Sequence, residues 1–403
     1  MTELKLTGKE NYLAEAFRYF LEEGMHADKA INEVFKKNRI SDELMRETIY
    51  SYFYDIIRFW RPLSTALRKD DLISKDDAWQ FMKACDFWKK ACRDKTALTA
   101  GNSAEEKLLK YASLPEIRRS MPEWLDKEGV KQLGEEKWDT LIAALNRFPE
   151  TDIRVNSLKT DADQLMQSLN NEHVYGRTID GLENGIEITK GKGVVFRTDA
   201  YHNGWFSVQD RASQKVVAAL DVRPGMKVID ACAGSGGKSI QLAALMKNKG
   251  KIVAMDVVPK KLDELRKRCA KSGVDVVETF IANEKNISAL HEYADRLLID
   301  APCSGTGVLR RNPDIRWRLH PDDLSELHMM QKNILNKYAD MLKPSGIMVY
   351  ATCSVLPSEG EEQIRQFLET HSNWILEEET RTSPEKNEGD GFYFARLKKI
   401  QQA

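Results

Sequence analysis

The sequence predicts an α/β fold in which a doubly wound, Rossmann-like domain follows an all-α domain and a small α+β domain. Three observations predict this: helical apolar periodicity up to residue 146, glycine-rich β-prone pieces up to about residue 201, and regular βα alternation thereafter. The expected boundaries are 1–148, 149–203 and 204–403. A chain of 403 residues with 42% hydrophobic content is long enough to bury several cores.

The first domain is predicted to be helical from about residue 11 to residue 146. After Ser41, a suitable N-cap, apolar residues recur at three- and four-residue steps. The members of this stripe are Leu44, Ile49, Phe53, Ile56, Ile57, Trp60 and Leu63. The aromatics Tyr50, Tyr52, Phe59 and Trp60 are also able to stack on bases, but this periodicity favours a packing role.

The second domain is predicted from short β-prone pieces separated by glycines. Strands are expected at 153–155, 186–188 and 194–196, with a helix at 161–169.

The third domain alternates strands and helices. Strands are expected at 227–230, 251–255, 276–281, 296–300 and 346–352, and helices at 238–246, 260–272, 322–342 and 359–370. This alternation indicates a mostly parallel sheet, which binds ligands beyond the carboxyl ends of its strands. The acidic stretch at 377–379 is interpreted as solvated surface.

Composition restricts the function class. No apolar run in the first 20 residues, which carry Glu3, Lys5 and Lys9, resembles a signal peptide or a membrane span, so we expect a cytoplasmic protein without a membrane partner. The six cysteines include no CxxC pair, and no His cluster has metal-ligand spacing, so no metal is expected. We also expect a monomer.

The net charge of −1 means that any nucleic-acid site must be a local patch. Arg310, Arg311, Arg316 and Arg318, interleaved with Trp317, are one candidate, because they combine phosphate contacts with an aromatic face. A solvated charged surface is the alternative interpretation.

A glycine-rich loop follows the first strand of the third domain, with the sequence DACAGSGGKS at 230–239. Gly234, Gly236 and Gly237 let backbone approach a ligand at a helix N-terminus. A Walker A loop needs glycine where Cys232 stands, and a dinucleotide fingerprint needs a third glycine where Ser239 stands. Asp256, at the end of the second strand, is placed to accept hydrogen bonds from ribose hydroxyls, or alternatively to cap the next helix.

Two further strand ends each carry a thiol: DAPCSGTG at 300–307 and YATCS at 350–354. Neighbouring parallel strands lie about 4.8 Å apart, so Cys303 and Cys353 can face one pocket beside Asp300. A lone cysteine is usually a small buried hydrophobe, but two at matching strand ends indicate nucleophilic catalysis.

These motifs resemble the Sun/Nop (RsmB-type) family of RNA cytosine-5 methyltransferases. Further matching segments are RVNSL at 154–158, VQDRASQ at 208–214, RRNPDIRW at 310–317 and GDGFY at 389–393. The resemblance spans nearly the whole chain and implies an S-adenosylmethionine methyltransferase domain after a helical domain like the antitermination factor NusB and a small RNA-binding domain. RNA, ribosomal RNA first, is the implied partner, and S-adenosyl-L-methionine the cofactor.

The resemblance also implies residue roles. Cys353 would be the nucleophile, Cys303 the partner that releases methylated RNA, and Asp300 the carboxylate beside the cytosine. The implied cofactor contacts are Cys232, Ala233, Gly234, Ser235, Gly236, Gly237, Lys238, Asp256, Asn283 and Asp300. The expected RNA contacts are Arg154, Asn156, Arg310, Arg311 and Arg316. The sequence departs from the family at Gly234–Ser235, commonly Ala-Pro, and at Asn283, commonly Asp; Asn283 still offers an oxygen to the adenine amino group.

Cytosine chemistry explains the need for a thiol. Carbon 5 is a weak nucleophile until a thiolate adds to carbon 6, after which methyl transfer, loss of the carbon 5 proton and elimination follow. Asp300 is placed to protonate or hydrogen-bond ring N3. Three alternatives remain at this point: a DNA cytosine-5 methyltransferase with Cys303 as nucleophile, a transfer-RNA methyltransferase, and a non-catalytic RNA-binding assembly factor.

Overall fold

The computed structural model describes residues 8–72, 74–94 and 98–401, which form two compact units. The first comprises the described residues up to Arg147 together with Leu309–Leu319, and the second Phe148–Val308 and residues from His320 onward. Glu3 and Lys5 lie outside the described residues. Within the described residues, no helix combines the length and apolar character needed to cross a membrane.

The first unit is helical, as predicted. Its helices are α1 (Lys9–Leu21), α2 (Ala27–Lys37), α3 (Glu43–Arg58), α4 (Trp60–Leu67), α5 (Lys75–Arg93), α6 (Ser103–Tyr111), α7 (Pro115–Arg118), α8 (Glu123–Leu133), α9 (Glu135–Leu145) and, later in the chain, α16 (Ile315–Arg318). Asp42, rather than the predicted Ser41, caps α3, because its carboxylate accepts a hydrogen bond from the Met45 amide at 2.8 Å. A charged acceptor also interacts favourably with the helix dipole.

Aromatic side chains form the core of this unit. The rings of Phe17 and Phe53 pack edge to face at 4.8 Å between centroids, and Trp60 stacks on Phe81 at 5.1 Å. Most of the predicted stripe is buried, whereas Leu44 is exposed. The helical periodicity therefore identified the buried face of the helices. Only Leu44, the first residue of the predicted stripe, was wrongly placed in the core.

The small α+β region opens the second unit. Strands β1 (Thr151–Val155), β2 (Tyr175–Ile179), β3 (Leu182–Lys190) and β4 (Phe206–Val208) form an antiparallel sheet in the order β2-β3-β1-β4, with helices α10 (Ala162–Asn171) and α11 (Asp199–His202). The strand expected at 194–196 is wrong: Lys192–Arg197 is a 3-10 helix. Gly191 precedes it with φ +81°, and this left-handed backbone turns the chain away from the sheet.

The larger sheet has seven strands: β5 (Lys227–Asp230), β6 (Lys251–Asp256), β7 (Val277–Ile281), β8 (Ala294–Asp300), β9 (Leu342–Thr352), β10 (Trp374–Arg381) and β11 (Tyr393–Lys399). Their order is β10-β11-β9-β8-β5-β6-β7. The five predicted strands are parallel, which confirms the doubly wound core. The last two are antiparallel and were not predicted, so the sheet is mixed.

Helices cover both faces of this sheet. They are α12 (Arg211–Ala218), α13 (Gly237–Leu245), α14 (Pro259–Ser272), α15 (Glu284–Ser288), α17 (Pro321–Tyr338) and α18 (Glu361–Thr370). Alternate residues of one strand enter opposite cores: Val228 packs with Leu262 on one face, and Ile229 packs with Leu335 on the other. The expected helix 322–342 ends earlier, at Tyr338, because β9 already begins at Leu342.

A buried ion pair joins the small sheet to α12. The Arg211 guanidinium donates to both carboxylate oxygens of Asp152 at 2.8 Å, and to Glu187 at 3.0 Å. These carboxylates raise the pKa of Arg211. The VQDRASQ segment at 208–214 therefore has a structural role, because its arginine attaches the four-stranded sheet to the larger one.

Candidate active site

The two cysteines predicted at strand ends lie together. Strands β8 and β9 are adjacent and parallel, with Asp300 opposite Ala351 and the Ala301 amide donating to the Ala351 carbonyl at 2.8 Å. The loops that follow bring the Sγ atoms of Cys303 and Cys353 to 3.3 Å, with both side chains partly accessible to solvent. One thiol can therefore hydrogen-bond to the sulfur of the other.

The environment distinguishes the two thiols. The hydrogen bond to Cys353, burial, and the nearby Cys353 and Glu359 charges together raise the pKa of Cys303 well above its usual value. Cys303 is thereby held in its protonated form. This suits a hydrogen-bond donor to the neighbouring sulfur better than a thiolate nucleophile.

Backbone hydrogen bonds and a close contact hold together the loops that carry Cys303 and Cys353. The Gly307 amide donates to the Cys353 carbonyl at 2.9 Å, and the Gly391 amide donates to the Gly307 carbonyl at 2.9 Å. A Cβ atom on Gly307 would lie 1.7 Å from the Gly391 carbonyl oxygen. Only glycine fits at position 307, because a side chain there would collide with the backbone of the GDGFY segment at 389–393.

We expect Gly307→Ala to lower the free energy of unfolding by about 3 kcal/mol, because the clash is with backbone that cannot move aside. Thermal unfolding measures this. Gly101→Ala is the matched control, since its Cβ would meet only the flexible end of Glu105 at 3.3 Å, and it should change stability by less than about 0.5 kcal/mol. Equal stability of the two variants would contradict the close approach.

Lys238 and Asp300 form an ion pair beside the cysteines. The Lys238 ammonium, in the first turn of α13, lies 2.6 Å from Asp300 Oδ2 and 5.4 Å from the ring centroid of Phe392. Burial opposes the charged form of Lys238, but Asp300 and the nearby Cys353 raise its pKa overall. The pair therefore places a protonated amine and a carboxylate at the carboxyl end of β8.

Asp256 fixes the conformation of the glycine loop at 230–239. Its carboxylate accepts hydrogen bonds from the Gly234 amide at 3.0 Å and the Val258 amide at 2.8 Å, so it both organises the loop and caps the turn before α14. Gly234 has φ +55° and faces open space, whereas a Cβ on Gly236, at φ +87°, would lie 2.5 Å from Leu265. The loop needs glycine at 236 for packing and at 234 for its backbone conformation.

The other residues predicted to hold a cofactor surround this loop. Cys232 is partly buried, and burial raises its pKa. The Ala233 amide bonds to the Met255 carbonyl at 2.8 Å, and Gly237 begins α13. Ser235 accepts two hydrogen bonds from Arg268 at 3.0 Å.

Asn283 follows β7 and caps α15. Its side-chain oxygen accepts a hydrogen bond from the Asn286 amide at 2.9 Å. One lone pair of that oxygen therefore already has a partner, and the second is available to a ligand.

Four of the five residues expected to contact RNA are buried. Arg316 is fully buried in the first unit, where it donates to Asn146 Oδ1 at 2.8 Å and to the carbonyls of Ser120 and Arg58 at 3.1 and 3.3 Å. Burial, with the nearby Arg58 charge, lowers the pKa of Arg316 to about 9. Arg310 is buried in the same unit, and Arg311 is partly exposed. The arginine segment thus serves mainly as a packing element.

Arg154 and Asn156 are buried in the second unit. Arg154 donates to the Gly237 carbonyl at 3.3 Å, and Asn156 donates to the carbonyls of Gly204 and Ser272 at 2.8 and 2.9 Å. Their contacts join the small sheet to α13 and α14. The conformation described here does not present either side chain to an RNA strand.

Sequence reasoning missed a buried polar cluster behind the cysteine loops, formed by Ser304, Thr306, Gln331, Ser354 and Glu359. The hydroxyls of Thr306 and Ser354 lie 3.0 Å apart, and Ser304 bonds to Glu359. The only sequence signal was the position of hydroxyl residues directly after each cysteine. Glu359 itself is indistinguishable in sequence from a solvated helix-start residue.

The fold and the site define a Rossmann-like methyltransferase with two cysteines at adjacent strand ends. Residues 217–398 match the family model described as 16S rRNA methyltransferase RsmB/F, and residues 121–195 match its RsmF/B-like ferredoxin-like domain. The chain belongs to the 16S rRNA methyltransferase RsmB/F family.

Individual relatives agree with this assignment. The chain is 33% identical over 303 residues to a ribosomal RNA small subunit methyltransferase B of Enterobacter, covering 73% of this chain and 70% of the relative. It is 32% identical to a probable ribosomal RNA small subunit methyltransferase B of Synechocystis, covering 70% and 67%. The crystal structure of PH0851 is similar across 97% of this chain and 99% of that chain, with a TM-score of 0.79 at 26% identity.

Proposed function

We propose that the protein transfers a methyl group from S-adenosylmethionine to carbon 5 of a cytosine in 16S ribosomal RNA, through a covalent bond between Cys353 and carbon 6. The observation that carries the proposal is the 3.3 Å separation of the two sulfurs at the ends of β8 and β9, beside the Lys238–Asp300 pair. The small-subunit rRNA substrate is taken from the family model and from the named relatives.

The glycine loop fits the proposed cofactor. Asp256 retains carboxylate lone pairs for ribose hydroxyls after bonding to two amides, and the space beside Gly234 is open. Val257 and Val258, directly after Asp256, are exposed apolar side chains suited to the face of an adenine ring. When bound, the cofactor supplies an electrophilic methyl group.

Cys353 and Cys303 have different parts in the proposed reaction. The Cys353 thiolate forms a bond to carbon 6, and the carbon 5–carbon 6 double-bond electrons become available at carbon 5. After methylation, the carbon 5 proton passes to solvent water, and the electron pair of that carbon–hydrogen bond restores the double bond as the bond to Cys353 breaks and its sulfur leaves as a thiolate. Cys303, 3.3 Å away, is placed to take part in this elimination.

The ion pair refines the role expected of Asp300. In the ion pair, the proton is on Lys238, so Asp300 acts as an acceptor that orients the cytosine amino edge. Before Cys353 adds, the positive charge of Lys238 stabilises the negative charge of the thiolate. As the bond to carbon 6 forms, Lys238 gives a proton that Asp300 relays to ring N3, and the same path returns it to Lys238 when N3 loses it again.

Methylation of defined RNA tests the proposed function. Purified protein is incubated with methyl-labelled S-adenosylmethionine and, separately, naked 16S rRNA, small subunits lacking the modification, and transfer RNA. We expect label in 16S rRNA, with 5-methylcytosine recovered after digestion to nucleosides. Label found only in transfer RNA would contradict 16S rRNA as the substrate and identify transfer RNA instead. The absence of label from every RNA would contradict the proposed methyltransferase activity.

We expect Asp256→Asn to raise the dissociation constant for S-adenosylmethionine at least about tenfold, because it removes the charged acceptor for the ribose. Calorimetry measures the change. Lys261→Ala is the control: its ammonium lies 3.8 Å from Asp256 and is largely exposed, so affinity should change by less than about threefold. Equal affinity of Asp256→Asn and the wild-type protein would contradict the cofactor placement.

A further inference from the structure

A buried carboxylate lies behind the two cysteine loops, and the reaction steps above do not use it. Glu359 ends the 3-10 helix Pro357–Glu359, between β9 and α18, and its side chain is fully buried. A buried carboxylate is costly unless its oxygens are hydrogen-bonded. Its partners therefore indicate what it does.

The side chain of Glu359 bonds directly to the residue after Cys303 and, through Gln331, to the residue before it. Its Oε1 accepts hydrogen bonds from the Ser304 amide at 2.8 Å and from Gln331 Nε2 at 3.0 Å, and its Oε2 accepts one from the Ser304 hydroxyl. The same Gln331 amide group donates to the Pro302 carbonyl at 2.9 Å. All three partners of the carboxylate are donors, as an ionised acceptor requires.

The main chain of Glu359 contacts the strand that leads to Cys353. Its carbonyl accepts hydrogen bonds from the hydroxyls of Tyr350 at 3.1 Å and Thr352 at 3.3 Å. One residue thus bonds through its side chain to the loop carrying Cys303 and through its backbone to the strand end carrying Cys353.

We infer that Glu359 is a positioning residue that sets the separation of the two sulfurs and places its carboxylate behind Cys303. The inference rests on the proposed function for the use of both cysteines in one reaction. Among the described residues, the titratable side chains that face Cys303 include Cys353 on the neighbouring loop, Glu359 behind it and the Tyr350 phenol. After the hydrogen bond to Cys353 and burial, the Cys353 and Glu359 charges raise the pKa of Cys303 further.

The test variant is Glu359→Gln, which keeps the shape but removes the charge and puts an amide donor against the donors of Ser304 or Gln331. We expect kcat to fall on the order of 10- to 100-fold with KM for RNA and cofactor unchanged, because the cysteine loops shift while the binding surfaces do not. The control is Gln363→Met. Gln363 is also buried and bonds to the carbonyls of Ser358 and His328, but it touches neither cysteine. Its kcat should stay within about twofold of wild type.

A second measurement does not depend on turnover. In a Cys353→Ser background without RNA, the pH dependence of Cys303 alkylation by iodoacetamide is followed by peptide mass spectrometry, with Glu or Gln at 359. Removing the negative charge should move the alkylation midpoint to lower pH. A purely structural contact would lower the unfolding temperature without moving this midpoint.

The results of these measurements decide whether Glu359 has the positioning role. An unchanged kcat and an unmoved midpoint in folded Glu359→Gln would overturn the inference. If that variant does not fold, Ser304→Ala removes a single donor to Glu359 and should lower kcat about tenfold, and an unchanged kcat there would also overturn it. If wild-type protein forms no RNA adduct yet the midpoint moves, the proposed function fails while the effect of Glu359 on Cys303 stands.

Discussion

Replacing Cys353 by alanine is expected to abolish methyl transfer, with a loss of at least about 10⁴-fold in kcat, and to prevent any covalent bond to RNA. Without the sulfur at the end of β9, carbon 5 of the cytosine stays too weakly nucleophilic to be methylated. Label transfer from methyl-labelled cofactor measures the activity. A denaturing gel with labelled RNA detects the adduct, because only covalent complexes survive denaturation.

The control for this variant is Cys92→Ala, which removes an exposed thiol in the helical unit and should leave activity within about twofold of wild type. An RNA adduct that persists in Cys353→Ala would assign the nucleophile to Cys303. The site would then resemble the arrangement in DNA cytosine-5 methyltransferases.

Replacing Cys303 by alanine is expected to have the opposite effect on the adduct. Addition by Cys353 and methylation proceed, but elimination slows because the neighbouring thiol at 3.3 Å is missing. We expect turnover to fall about 10²- to 10⁴-fold, as for the loss of a proton-transfer group, and covalent protein–RNA complex to accumulate. The same gel measures both variants side by side.

The double variant Cys303→Ala/Cys353→Ala separates the roles further. It should show neither turnover nor adduct, since release cannot matter when no bond forms. A Cys303→Ala protein that turns over normally without accumulating adduct would contradict the release role, and the residue would then act only in packing.

The parallel part of the fold could be predicted because most of its strands are largely buried apolar runs separated by helices, although β7 is only partly buried. Strands β10 and β11 were missed for a physical reason. Glu377, Glu378 and Glu379 lie within β10, an edge strand where acidic side chains remain in water, so their solvated character was recognised but the strand was not. Strand β11 lies inside the sheet between β10 and β9, but as an antiparallel strand it lacks the helix spacing that reveals parallel ones.

The positions of Cys303, Cys353 and Asp300 could be predicted because parallel strands end at one edge of a sheet, whereas their roles in the reaction stay predictions. Whether a cationic side chain contacts RNA or packs inside the protein could not be predicted. Arg316 and Arg154 carry the same charge whether they face phosphate or buried carbonyls, and their partners come from distant segments. Glu359 was hidden for the same reason, since its donors Ser304 and Gln331 are brought to it only by the fold.

The most direct test of the account uses wild-type protein, S-adenosylmethionine and substrate RNA containing 5-fluorocytidine at the methylated position. Fluorine at carbon 5 cannot leave as a proton does, so the complex is trapped before elimination. After protease and nuclease digestion, tandem mass spectrometry locates the modified residue. We expect a methylated fluorocytosine attached to Cys353; attachment to Cys303, or no attachment at all, would contradict the proposed mechanism.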